Sequence, residues 1–151
     1  MEYNNPSEIV KNLSFGRDGK DKIMAGVEKL AKAVSSTLGA SGKCVIYEDA
    51  LGKPVITKDG VTVAESVVLR DPVENIGATL IKEAAKNTVR EAGDGTTTAT
   101  VLAHWLLSNA SKELDKGETD VRSLKAGVEK AATNVAKYID KIAVPVKDSM
   151  L

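Results

Sequence analysis

Aromatic side chains are scarce: Phe15 is the only phenylalanine, Trp105 the only tryptophan, and aromatics make up 3% of the 151 residues. A core must then be built from Val, Leu, Ile and Ala, which suits closely packed helices and leaves few large anchors. Cysteine is scarcer still. Cys44 stands alone, which excludes an internal disulfide and suits a reducing compartment. Neither sign of charge dominates, since Lys plus Arg and Asp plus Glu number 21 each. That balance argues against nucleic acid or an anionic membrane as the main partner. No apolar run approaches the length of a membrane span. The opening stretch MEYNNPSEIVKNLSFG lacks both a signal-peptide pattern and an Arg-rich transit pattern, so a cytoplasmic protein is expected. What remains is globular in composition, 42% hydrophobic and 28% charged, and long enough for one domain with a real core.

Apolar spacing predicts a mainly α fold: a bundle of long helices with a small β-hairpin. Residues 1–14 read as a polar arm. From about Asp18 to Leu38, Ile23, Val27, Leu30 and Val34 recur at helical spacing, with Gly39 placed as a C′ glycine. Cys44–Glu48 and Pro54–Thr57 form a hairpin pattern around ALG. VTVAESVVLR, from Val61, fits either a strand or a short helix, and pattern alone leaves both open. Asp71-Pro72 with Glu74 resembles a capping box, opening a helix that stops before Gly93. A third long helix spans about Thr96 to Leu114, with Val101, Leu102, Trp105 and Leu106 on its apolar side. After the turn DKGETD a fourth runs from about Asp120 to Ile142, with Pro145 beyond it. Trp105 is expected in the core and Cys44 at least half-buried. His104, with no cysteine or second histidine nearby, is read as solvent-facing or capped and not as a metal ligand. Lys29, Lys32, Glu129, Lys130 and Lys137 are read as solvated helix faces.

Three glycine-bearing loops stand out. EAGDGTTTAT, Glu91 to Thr100, places three stiff, weakly helix-forming threonines at a helix start. Such a start has unpaired amides and partial positive charge, and Gly93 and Gly95 let an anion approach closely. Asp94 would repel a bare phosphate, but a divalent cation between them removes the conflict, because Mg²⁺ takes one or two carboxylates with phosphate oxygens. The pattern fits a magnesium-phosphate site. It equally fits a plain helix–turn–helix with Thr96 as N-cap. TLGASGK, from Thr37, leaves a helix C-terminus and is not a Walker A loop; alone it reads as a cap and turn. ITKDG, from Ile56, is a common turn composition. Together the three loops favour one shared anion site.

Taken in order, TLG-x-x-G after a helix, ITKDGVTVA and AGDGTTTATVLA resemble the equatorial ATPase domain of group I chaperonins, the Hsp60/GroEL family. FGRD, ENIGATLIKEAA, LKAGVEKA and VPVKDS agree, so the resemblance runs from about Leu13 to Ser149. It implies an incomplete equatorial domain over residues 15–144 and the start of an intermediate segment over 145–151. It implies an ATP-dependent chaperone subunit with ATP and Mg²⁺ as cofactors, K⁺ as a further candidate, and a ring of like subunits as partner. Client proteins and co-chaperonin would be met through an apical domain that lies outside this chain. Carried over by position, Thr37, Leu38, Gly39 and Ala40 wrap the nucleotide and Lys58 lies near the phosphates. Asp94 binds magnesium, Gly95, Thr96, Thr97 and Thr98 grip phosphate, and Asp59 supports hydrolysis.

Two departures qualify that transfer. Ala40 and Ser41 stand where the family usually has proline and a basic residue, which frees the wrapping loop. The family's water-positioning aspartate lies outside this chain, and the loss of such a group would cost roughly 10²–10⁴-fold in rate. Impaired turnover is the expectation for the chain by itself. The competing expectation is a non-catalytic assembly module that keeps the helical scaffold and associates through exposed helix faces and the hairpin.

Overall fold

The computed structural model describes residues 13–145 and is mainly helical, as the spacing predicts. The elements run α1 (Gly16–Ser35), β1 (Val45–Glu48), β2 (Pro54–Thr57), α2 (Gly60–Ser66), α3 (Pro72–Ala92), α4 (Thr96–Asp115) and α5 (Val121–Ile142). The expected arm and the 145–151 segment fall almost wholly outside the described residues. The chain divides into two compact units, up to Leu106 and from Leu107 onward.

In the first unit, the core is aliphatic. Val27, Leu30 and Val34 of α1 meet Val63 and Ala64 of α2 and Ala78 and Ile81 of α3. The 3–4 spacing on α1 is what brings its three onto one face. Helices α1 and α3 meet backbone to backbone. A Cβ on Gly26 would overlap the Glu74 carbonyl, and one on Gly77 would overlap the Ile23 carbonyl. Ion pairs flank this crossing: Lys29 Nζ lies 2.5 Å from Glu74 Oε2, and Lys22 Nζ 3.6 Å from Asp71 Oδ2.

The ends of the elements follow from side-chain hydrogen bonds. Helix α1 stops at Ser35 and not at Leu38. Ser35, Ser36 and Thr37 turn their hydroxyls back onto the carbonyls of Lys32, Ala33 and Val34, and three such bonds in a row compete with continued helix. Gly39, at φ +74°, therefore belongs to the turn beyond the helix. Helix α3 opens on Asp71, whose Oδ1 accepts from the amides of Val73 (2.8 Å) and Glu74 (3.2 Å). The capping box is only half made, because the Glu74 carboxylate pairs with Lys29 on α1. Gly93, in the left-handed region at φ +77°, closes α3 as expected.

The segment that pattern left open resolves as helix α2. Asp59 decides it: its carboxylate accepts from the amides of Val61 and Thr62 and from the Thr62 hydroxyl. The hairpin pairs Val45 with Thr57, Ile46 with Ile56, Tyr47 with Val55 and Glu48 with Pro54. Cys44 lies just outside it and is exposed, contrary to expectation, since pairing begins only at Val45. Trp105 is also a correction. It is 63% exposed, and Leu102 and Leu106 beside it are exposed too, so the core contribution of α4 is Ala103. Lys29 is solvent-exposed yet tied to Glu74, which makes it more than a solvated face.

In the second unit, Gly117 at φ +77° turns the chain after α4. Asp120 caps α5 by accepting from the Ser123 amide at 2.9 Å. No residue of α5 is buried; Val121, Val128, Val135, Tyr138 and Ile142 carry its apolar stripe in exposed positions. No helix among the described residues is long and apolar enough to cross a membrane.

Candidate functional site

The three glycine-bearing loops converge. Gly60, the first residue of α2, is buried, and a Cβ built there would overlap the Thr97 hydroxyl and stand 3.5 Å from the Thr37 hydroxyl. One glycine thus brings the turn after α1, the ITKDG loop and the start of α4 to the same point. Gly60 is not among the glycines of positive φ, so the demand at this position is for space and not for an unusual backbone.

Each loop is held locally. Thr37 donates its hydroxyl to the Val34 carbonyl at 2.8 Å, which leaves the oxygen lone pairs free to accept. The turn beyond it closes by Gly42 N–H to the Gly39 carbonyl (3.0 Å) and Lys43 N–H to the Ser36 carbonyl (2.8 Å). Leu38, Gly39 and Ala40 lie exposed on that turn. In the second loop, the Thr57 hydroxyl accepts from the Asp59 amide at 3.0 Å. The bond from the Thr62 hydroxyl, then that from the Thr62 amide, holds the Asp59 carboxyl below the ordinary aspartate range. Asp59 is thus an anion engaged as the cap of α2. Lys58, next to it, is exposed.

At the third loop, Gly93 and Gly95 carry the chain through φ +77° and φ +89° into α4. The exposed Asp94 accepts from the Gly95 amide at 2.6 Å. The first helical bond of α4 runs from the Ala99 amide to the Gly95 carbonyl at 2.8 Å. By helix geometry, the amides of Thr96, Thr97 and Thr98 precede any intrahelical acceptor. Thr96 is buried, Thr97 half-buried and Thr98 exposed. Thr100, fully buried, bonds back to the Thr96 carbonyl at 2.8 Å and stiffens this first turn.

Of the residues singled out from the sequence, Thr37 and Thr97 are brought into one place and Thr96 lies at the same helix start. The placement of Lys58, Asp59 and Asp94 is local to their own loops. Gly60, Thr57 and Thr62 were missed as site residues. Asp-Gly-x-Thr, with a carboxylate three residues before a hydroxyl, is a cap signature that could have found them. Among the described residues no group of three His, Cys, Asp or Glu could hold a metal unaided, His104 included. One carboxylate beside a row of amides and hydroxyls suits a cation that arrives with phosphate, the carboxylate facing the cation and the amides and hydroxyls facing the phosphate oxygens. The glycine at position 60 lets the three loops close on one another, since any side chain there would collide with the Thr97 hydroxyl.

The model of the TCP-1/cpn60 chaperonin family matches residues 30–151. Chaperonin GroEL of Mycoplasmoides gallisepticum is 43% identical over 139 residues, covering 92% of this chain and 26% of that protein. Chaperonin GroEL 1 of Rhodopirellula baltica is 44% identical over 140 residues, 93% of this chain and 24% of its own length. The chain spans about a quarter of these curated relatives.

Proposed function

The chain belongs to the TCP-1/cpn60 chaperonin family, and we propose that it carries the phosphate- and magnesium-gripping part of a nucleotide site that serves ATP-dependent protein folding. The convergence of three loops on Gly60 carries this reading. Asp94 would hold Mg²⁺, with the amides and hydroxyls of Thr96, Thr97 and Thr98 receiving the phosphates, and the Gly95 amide joining them where it leaves Asp94. Lys58 adds positive charge to the phosphates, while Thr37, Leu38, Gly39 and Ala40 wrap the nucleotide. When bound, the metal neutralises charge on phosphate oxygens. Asp59 fixes the ITKDG loop through its cap and supports hydrolysis from there. K⁺ is proposed as a second ion. The working assembly is a ring of like subunits in the cytoplasm, acting on unfolded proteins with a co-chaperonin, and neither nucleic acid nor membrane is a partner.

Calorimetric titration of ATP into the chain, with and without Mg²⁺, tests the site. Magnesium-dependent binding that Asp94→Ala abolishes is the expected result. Equal binding by Asp94→Ala would sink the assignment. A second reading, an assembly module without turnover, draws on the exposed apolar stripe of α5. It requires association without turnover, which light scattering together with a phosphate-release assay separates.

A further inference from the structure

Beside the Gly60 junction, α2 and α3 enclose a cleft of about 220 Å³. Its walls are aliphatic, from Val61 and Ala64 on α2 and Ala85 and Val89 on α3, and Thr96 of α4 lines it as well. Three cations lie along α3 at one-turn intervals, Lys82, Lys86 and Arg90, against a single carboxylate, Glu65. Four-residue spacing keeps all three on one helix face. Lys82 is already committed, because its ammonium donates to the carbonyls of Val67 and Glu65 at the end of α2. Lys86 and Arg90 are not. Arg90 reaches Asn87 of its own helix at 3.4 Å, and among the described residues neither cation has a carboxylate partner.

An aliphatic slot edged by two uncompensated cations complements one kind of occupant. We infer that this cleft binds a small anionic amphiphile, a short aliphatic chain with one carboxylate head. The chain packs between the valines and alanines, and the head meets Lys86 and Arg90. Glu65 on the α2 wall repels the head and so fixes the orientation. Size narrows the class. Pockets for drug-sized ligands run to roughly 300–1,000 Å³, and this cleft is smaller. At about 30 Å³ for each water-sized group, it takes on the order of seven such groups. A six-carbon fatty acid matches that size, and the cleft shares only Thr96 with the site proposed above.

The test is an amide-resolved NMR titration of the full chain with hexanoate, and with hexanol as the neutral probe of equal length. Saturable shifts confined to Ala64, Ala85, Val89 and Thr96 are expected, with hexanol at least about tenfold weaker, the scale of one charge-assisted hydrogen bond. Lys86→Gln/Arg90→Gln should weaken hexanoate by a similar factor, and Glu65→Gln should bind it at least as tightly as the parent chain. Shifts spread along α5, hexanol binding as tightly as hexanoate, undiminished binding by the double variant, or weaker binding by Glu65→Gln would each overturn the inference. Should the double variant not fold, the contrast between hexanoate and hexanol on the parent chain decides alone.

Discussion

Gly60 concentrates the site's demands on one residue. Its backbone is ordinary, so alanine is no worse there for helix formation, but the added methyl collides with the Thr97 hydroxyl. Gly60→Ala is expected to leave far-UV circular dichroism unchanged while weakening Mg-ATP binding at least about tenfold, with a packing cost of roughly 1–3 kcal/mol. Calorimetry on the folded variant checks this. Asp59 separates capping from chemistry. Asn keeps one acceptor where Asp59 uses both oxygens, so Asp59→Asn should lose less urea stability than Asp59→Ala, which loses about 1 kcal/mol. Three capping carboxyls, Asp59, Asp71 and Asp120, are held below the ordinary range, in each case first by bonds from their helix starts. Their stabilisation is full above the unfolded pKa of about 4 and is lost as pH falls through the lower folded values. The melting temperature should be flat from neutral pH to about pH 5 and then drop. Little of this was legible beforehand. Asp94 and the threonines announce themselves by composition, but the need for glycine at 60 is a need for space, which only the meeting of distant segments creates.

Among elements, the crossing of α1 and α3 organises the first unit. Because carbonyls occupy the places where methyl groups would stand, Gly77→Ala should force the helices apart and lower urea stability by about 1–3 kcal/mol or more. An alanine at Gly127 of α5, where nothing lies within 4 Å, should be neutral or stabilising by helix propensity. The pair of variants makes the comparison internal. Periodicity made α1 and α3 legible, and turn composition made the hairpin so. The end of α1 was misjudged because Ser35, Ser36 and Thr37 each offer the backbone an alternative partner, a local competition that apolar spacing ignores. Helix α2 stayed undecided for the opposite reason: at seven residues its period is too short to read, and the Asp59 cap settles it.

At the scale of the whole molecule, the large apolar side chains exposed among the described residues outnumber those that are buried. Leu102, Trp105 and Leu106 on α4 and the stripe of α5 are exposed, and the net charge of zero offers no repulsion between copies. Sedimentation velocity should show concentration-dependent association that Val128→Asp/Val135→Asp reduces without loss of helix, since neither valine is buried. Trp105 lies on the apolar side of α4 yet is exposed, because an amphipathic stripe reveals which side of a helix is apolar, not whether anything covers it. The glycine crossing has a mechanical consequence as well. Two helices touching through bare backbone at one crossing would use that point as a fulcrum, against the resistance of the core residues and ion pairs beside it. From it, α1 reaches roughly 14 Å to its end at Ser35 and α3 roughly 22 Å to Ala92. The tips of these levers carry the loops that meet at Gly60. A tilt of only a few degrees at the fulcrum would open or close the grip between Thr37 and Thr97.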